Sequence, residues 1–364
     1  MGPGRVDLSD GSAADEPMGD EIAVRRVGPT RTRQRLGSWA DAVSDGLIAV
    51  AVLLIAIRQT GIAVGPTASM LALLPWAGVC ALAAAVHAAC RRRLPQAVMA
   101  VAVTALVSTW WAPMLQVDGA LMARSGTAQF SGSGMALASP ARTMRVVSLN
   151  TMSSPAAAAD FLRTLPQMKP DVVVLSELTL PTAAVVRRSG ITRTLPYVTQ
   201  PGVVDGLGMW SRWPVADVSP VPVRYGGYRV TLLPPNTAPV TLIVVHPLSP
   251  RWFAAREWAL DQAVLHREVA AVSGPVVLVG DLNMTRDHLP FRRLQTLGVR
   301  DVSDIAGAGW SPTWSLGVGR PHIVAVDHIM VRGLKVASAR TVDVQASDHR
   351  AVAADLVLPA RSAS

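Results

Sequence analysis

The run VVLVGDLN, Val276–Asn283, constrains the fold of this chain more tightly than any other stretch. Four apolar, mostly β-branched residues read as a strand buried on both faces. The glycine that follows permits a sharp turn, and an acid and an amide leave the sheet directly after it. Asp281 and Asn283 are thus expected at a strand's carboxyl end, where α/β proteins usually keep their chemistry. Asp and Asn also favour turns for purely local reasons, so one such run does not by itself mark a site.

Other stretches repeat the pattern. VVSLN (146–150), DVVVLSE (171–177), TLIVVH (241–246), VAVDH (324–328) and SDH (347–349) each read as an apolar run ending in a group able to bind metal or phosphate. Helices are expected at Ala156–Leu165 and Trp252–Ala271, and strands at Tyr228–Leu233, Val240–Val245 and Val276–Val279. No internal repeat points to a solenoid.

Half of the residues are hydrophobic and 16% are charged, which is too apolar for an ordinary soluble domain and directs attention to the first third of the chain. Residues 1–37, rich in Gly, Pro, Asp and Arg, are expected to be a disordered tail. Three apolar runs, Trp39–Ile57, Ala68–Ala89 and Leu94–Leu115, each approach the ~20 residues a helix needs to cross a bilayer. They predict a membrane region with three transmembrane helices over 38–116 and make the lipid bilayer a partner. A cleavable signal peptide is the rival reading of the first run, but the long preceding tail and the two further runs favour an anchor. Arg25, Arg26, Arg31, Arg33 and Arg35 precede the first run, and Arg91–Arg93 fill the turn between the second and third. The positive-inside rule then puts both clusters in the cytoplasm and everything after the third run on the extracytoplasmic side of a cell membrane. Trp110 and Trp111 suit an interfacial belt, and His87 reads as a helix-packing histidine.

Residues 117–142 read as a flexible Gly, Ser and Ala linker. The formal charge of +9 divides into +2 up to residue 141 and +7 beyond it, which suits an anionic substrate for the downstream domain. The only cysteines, Cys80 and Cys90, belong to the apolar third, so no disulfide framework holds the rest.

Taken in order, VVSLN, DVVVLSE, GMWSRWPV, VVHPLSP, GDLN, SPTW, VDHIMV and SDHRAV resemble the endonuclease/exonuclease/phosphatase superfamily, and in particular its bacterial membrane-anchored branch. The resemblance covers Arg145 to about Leu358, within a domain spanning 143–358. It implies an α/β fold, a four-layer α/β/β/α sandwich of two packed mixed sheets, with the site at one end. It also implies roles. Glu177 is the principal ligand of a divalent cation, Mg2+ or Mn2+, with Asn150 beside it and Asp348 as a further metal-facing acid. Asp281 orients or deprotonates the attacking water, and Asn283 holds that water and the phosphate. His246 and His349 contact the phosphate, with His349 oriented by Asp327. Arg212 in WSRWP either supports the phosphate or forms a surface ion pair. Thr313 supports the site from behind, and His328, with no matched role, is structural.

Elementary chemistry is compatible with these roles. Magnesium prefers oxygen donors and retains waters, and phosphoryl transfer asks mainly for charge neutralisation and an aligned attacker. The histidines lack HExxH spacing for zinc, and GxSxG is absent. GDLNMTRDH and AVDHIMV depart from the inositol polyphosphate 5-phosphatase elements, and the compact domain lacks the long hydrophobic insertion of secreted sphingomyelinases. The expected activity is magnesium-dependent hydrolysis of a phosphate ester, either nucleic acid or a lipid headgroup. A non-enzymatic surface domain is the remaining alternative, and no obligate protein partner is expected.

Overall fold

The computed structural model describes residues 31–62, 64–116, 142–199, 206–251 and 253–361. The expected tail falls outside them up to residue 30, and the linker up to residue 141. Contacts divide the chain at Ala42. In the first unit, residues 31–42 are helical, so the helix begins before the expected boundary at 37.

Apolar helices come first: α1 (Arg31–Thr60), the short α2 (Thr67–Leu71), α3 (Leu74–Cys90) and α4 (Leu94–Trp111). Two helical stretches, Gly37–Thr60 and Leu94–Leu115, are long and apolar enough to cross a membrane. The middle run does not reach that length. It breaks after Leu71, and α3, which has Pro75 in its first turn, spans 17 residues, about 25 Å at ~1.5 Å per residue. Two helices rather than the expected three therefore reach the length of a span, and the middle run supplies a shorter apolar one.

In the downstream domain the chain runs through β1 (Thr143–Asn150), α5 (Pro155–Met168), β2 (Val172–Ser176), α6 (Leu180–Arg188), β3 (Tyr197–Thr199) and β4 (Gly208–Ser211). It continues through β5 (Val215–Pro220), β6 (Gly227–Leu232), β7 (Val240–Val245), α7 (Ala255–Ala270), β8 (Val276–Asp281), α8 (Leu289–Thr296) and β9 (Arg300–Asp301). It closes with α9 (Val302–Ala306), β10 (Trp314–Ser315), β11 (His322–Val324), β12 (Asp327–Arg332), β13 (Lys335–Val342) and β14 (Ala351–Val357). Two six-stranded mixed sheets result, ordered β13-β14-β1-β2-β4-β3 and β5-β6-β7-β8-β12-β9.

Strand periodicity explains how the layers stack. In β1, Met144 and Val146 point between the sheets, whereas Val147 and Leu149 pack on Phe161 and Leu165 of α5. In β8, Val277 and Val279 meet the opposite sheet, while Val276 and Leu278 pack on Trp258 and Leu265 of α7 and on Phe291 of α8. Strands covered on both faces can be apolar throughout, as VVLV is. The layers are helix, sheet, sheet, helix, as expected.

The apolar helices meet this domain at one set of ends. Arg58, near the end of α1, places Nε 2.9 Å from Oδ1 of the fully buried Asp287, and the Arg292 guanidinium donates to the Arg58 carbonyl at 2.6 Å. His288 Nε2 lies 2.7 Å from the Ala68 carbonyl, and Trp76 Nε1 donates to the Ile323 carbonyl at 2.9 Å. Trp111 stacks at a tilt on Trp310, with ring centroids 4.6 Å apart. At the other ends of the helices, beside the Arg91–Arg93 turn, Arg93 pairs with Asp45 at 2.7 Å.

Candidate active site

Strand polarity decides which residues meet. The parallel strands β1 and β2 release Asn150 and Glu177 at their carboxyl ends, with Asn150 in register with Ser176. In the other sheet β8 delivers Asp281. β12 runs antiparallel to β8, and its first residue, Asp327, sits opposite Asp281. VDH therefore opens a strand rather than ending one, and SDH likewise precedes β14, which is antiparallel to β1. The expectation that every such run ends in its polar group is corrected by this polarity.

Gly280 is required for the approach. Its φ is +141°, and a Cβ there would lie 2.0 Å from the Val245 carbonyl oxygen. Around it, Glu177, Asn283, Met152 and Ser153 all hold left-handed backbone conformations, with φ from +49° to +55°. Such conformations are uncommon for non-glycine residues and concentrate at functional sites.

Across the mouth of the sandwich, the buried Asn150 Nδ2 donates to Glu177 Oε1 at 2.9 Å and to Asp281 Oδ2 at 3.0 Å, tying one sheet's carboxylate to the other's. Its own Oδ1 accepts from the Met152 N–H at 2.9 Å. Asn150 thus clamps two carboxylates from its place beside Glu177, and its oxygen, which accepts one hydrogen bond, keeps a second lone pair. Ser153 Oγ donates to the second Glu177 oxygen at 3.1 Å. Asn283 supports Asp281 through its backbone N–H, 3.0 Å from Oδ1, while its side chain holds the Pro247 carbonyl.

The two imidazoles converge on the same acid. Nε2 of His246 lies 3.5 Å, and Nε2 of His349 3.9 Å, from Asp281 Oδ2. His349 Nδ1 is 2.7 Å from Asp327 Oδ2, and its Nε2 is 3.9 Å from Asp348 Oδ1. Thr313 Oγ1 accepts from the Asp327 N–H at 3.1 Å, the supporting position expected of it. Ser347 Oγ donates to the Asn150 carbonyl and accepts from the His349 N–H, both at 3.0 Å, so the SDH turn is sewn to the end of β1.

Burial opposes ionisation of Asp281, but the His246 hydrogen bond, the His349 charge and the Asn150 amide outweigh it and hold the carboxyl at about 2. Burial likewise opposes a charged His349, yet the adjacent Asp327 lifts it to about 10. Asp327 is raised, chiefly by its burial.

Asp281, Asp327 and His349 offer ligand atoms within 4.8 Å of one another. With Nδ1 of His349 committed to Asp327, Nε2 is the atom through which that ring meets the cavity. Oxygen donors for a hard cation lie alongside. Asp348 Oδ1 is buried without a hydrogen-bond partner, while Trp314 Nε1 fixes its other oxygen at 3.2 Å, and Glu177 brings a second carboxylate. A carboxylate oxygen without a hydrogen-bond partner and a second acid lining the same cavity are the donor type a divalent ion takes.

Arg212 does not join them. β4 runs antiparallel to β2, so Arg212 follows the residue paired with Val172 at the far end of that strand. Its Nε donates to Asp171 Oδ1 at 2.7 Å, about 20 Å of extended chain from Glu177. The phosphate-binding role is corrected to the ion pair. His328 is structural as expected, with Nδ1 2.6 Å from Asp301 and Nε2 3.0 Å from the Met284 carbonyl.

A cavity of about 860 Å³ opens over Glu177, His246, Asp281, Asn283, Asp348 and His349. It is also lined by Arg224, Tyr225 and Arg251, which no sequence motif singled out. The Tyr225 ring lies 5.0 Å from that of His246.

The profile of the endonuclease/exonuclease/phosphatase family matches residues 147–349. Among solved structures, D. rerio TDP2 complexed with a single-strand DNA product is 16% identical, with a TM-score of 0.48 over 59% of this chain and 98% of that one. An endonuclease/exonuclease/phosphatase from Beutenbergia cavernae is 20% identical, with a TM-score of 0.48 over 61% and 73%. Another from Bacteroides vulgatus is 15% identical, with a TM-score of 0.47 over 60% and 99%. No curated protein matches the chain.

Proposed function

Because this chain belongs to the endonuclease/exonuclease/phosphatase family, we propose that it is a membrane-anchored, divalent-metal-dependent phosphodiesterase in which water attacks phosphorus in line. The observation that carries this reading is the Asn150 amide joining Glu177 and Asp281 across the two sheets, with His246 and His349 directed at the same carboxylate.

Each side chain has a task its surroundings suit. A carboxyl held at about 2 is a weak base, so Asp281 orients the attacking water more than it deprotonates it. His349, kept cationic by Asp327, neutralises charge developing on the phosphoryl oxygens, and His246 donates beside it. Arg224 and Arg251 add positive charge at the cavity wall. Glu177 and the unpartnered Asp348 oxygen are the groups that would hold Mg2+, or Mn2+ in its place. The bound ion would supply charge neutralisation and lower the pKa of a coordinated water.

Anchoring is supported by the two long apolar helices, of whose most apolar stretches only 28% and 22% are buried in the protein, unlike the core helix of a soluble domain. With the Arg91–Arg93 turn cytoplasmic, the helix ends that meet the catalytic domain lie on the extracytoplasmic side.

Full-length protein in detergent, assayed with magnesium on bis(p-nitrophenyl) phosphate, tests the reading. Metal-dependent turnover that Asp281→Ala abolishes is expected, and turnover indifferent to chelator or to Asp281→Ala rejects it.

A further inference from the structure

The catalytic cavity is not built by the catalytic domain alone. Ser69 of α2, with Ala72 and Leu73 in the turn that follows, lines the same cavity as Glu177, Asp281 and His349. Resting on the anchored phosphodiesterase reading above, the geometry points to a substrate whose phosphodiester is carried by a membrane lipid.

The wall is fixed in place. Ser69 Oγ donates to the Pro250 carbonyl, Ala68 is held by His288, and the preceding helix is locked by the buried Arg58–Asp287 pair. It joins two apolar helices, α1 and α3, so in a bilayer it lies at the interface and one side of the active site faces lipid.

The opening has the matching polarity. Leu73 and Leu316 both line the cavity and are 41% and 66% exposed, and Phe253, two residues beyond the cavity-lining Arg251, is 97% exposed. Ile62 and Val64, between α1 and α2 in the chain, are exposed as well. Scattered exposed hydrophobics need no explanation, but Leu73 and Leu316 line the cavity itself, and Leu73 lies between the apolar helices α1 and α3 in the chain. Arg224 and Arg251, both exposed, line the same cavity and present guanidinium groups without a carboxylate partner among the described residues. An anionic headgroup reaches those cations while its acyl or prenyl chains stay at the apolar rim.

A nucleic-acid strand asks for something else, a cationic track with stacking platforms that continues past the reacting phosphate. Here the cavity is closed on one side by the anchor, and its volume of about 860 Å³ is that of a small-ligand site. In the reaction, the water oxygen bonds to phosphorus and the P–O bond to the departing alcohol breaks. The proton lost by water is gained by the leaving alkoxide, and no electrons are exchanged.

The test uses full-length protein reconstituted with magnesium into vesicles of phosphatidylcholine and phosphatidylglycerol. The vesicle lipids, bis(p-nitrophenyl) phosphate, single-stranded DNA and single-stranded RNA are offered in parallel, and water-soluble short-chain phosphatidylglycerol separates bilayer presentation from headgroup chemistry. Lipid turnover above that of either nucleic acid is expected. Leu73→Glu, and independently Leu316→Glu on the catalytic side, should lower the ratio of vesicle-lipid to soluble-diester turnover about ten-fold, because a carboxylate is disfavoured where an acyl chain must pass. Diester hydrolysis with the vesicle lipids uncut, with nucleic acid preferred, or with both ratios unmoved overturns the inference and leaves the phosphodiesterase reading standing. Failure of every substrate overturns both.

Discussion

Two histidine–aspartate pairs lie in one sheet system, and the contrast between them separates chemistry from architecture. His349 and Asp327 meet at 2.7 Å, and His328 and Asp301 at 2.6 Å, all four buried. Both acids draw their imidazole toward the charged form, for His349 and His328 alike. The second ring nitrogen makes the difference. Nε2 of His328 is spent on the Met284 carbonyl, whereas Nε2 of His349 faces Asp281, Asp348 and the cavity. A buried pair whose second nitrogen is capped holds parts together, and one whose second nitrogen looks into a cavity can act on a substrate.

Breaking each pair should give opposite readouts. The largest effect is expected at the cavity: His349→Gln should lower turnover of a soluble diester by about 100- to 10,000-fold, in keeping with loss of a positioned proton donor. Retained turnover in a folded variant would remove His349 from the reaction. His328→Gln should instead cost about 3–5 kcal/mol of stability, since Asp301 is left charged and buried without its partner. Thermal unfolding reads that loss, and turnover per folded molecule should stay near wild type. A catalytic defect at normal stability would erase the distinction between the pairs.

Much of this arrangement could be read from the chain. Long double-sided strands such as VVLV and TLIVV announce themselves by uninterrupted β-branched residues, and β7 begins and ends where expected. Glu177, Asp281 and Asn150 were legible because parallel strands hand over their polar residues at their ends. Asp327 and His349 were legible as residues but not as strand starts, because strand direction depends on pairing partners distant in sequence. Arg212 was misplaced for the same reason. Arg224 and Tyr225 sit in the turn before β6, where local sequence carries no sign of the cavity they reach. The docking of α2 against the cavity was not legible either. It depends on Arg58 and Asp287, 229 residues apart, and nothing in either local sequence foretells that pair.

Alkaline and acid titration sharpen the comparison further. A histidine raised on folding contributes stability that is fully present below its unfolded pKa of about 6.5 and is lost as pH rises through the folded value. For His349 that window runs from about 6.5 to about 10, and His328 contributes in the same direction. Asp281 works the other way, contributing above the ordinary carboxyl value and losing its contribution as pH falls through about 2. The melting temperature should therefore fall on going from pH 7 to pH 10, and by less in His328→Gln than in wild type. Equal slopes would show that this pair is not titrating.

The smallest effect belongs to a third pair, exposed where the other two are buried. Arg212 and Asp171 meet at 2.7 Å, but the arginine side chain is 46% exposed and lies at the end of β2 remote from the cavity. Solvent screens such a pair, and the ordinary contribution of an exposed ion pair is about 0–1 kcal/mol. Arg212→Ala should accordingly change neither turnover nor the Michaelis constant of a soluble diester, and should shift the melting temperature by a few degrees at most, less at high salt. A large rise in the Michaelis constant would return Arg212 to the phosphate and contradict the strand polarity that separates the two ends of the sheet.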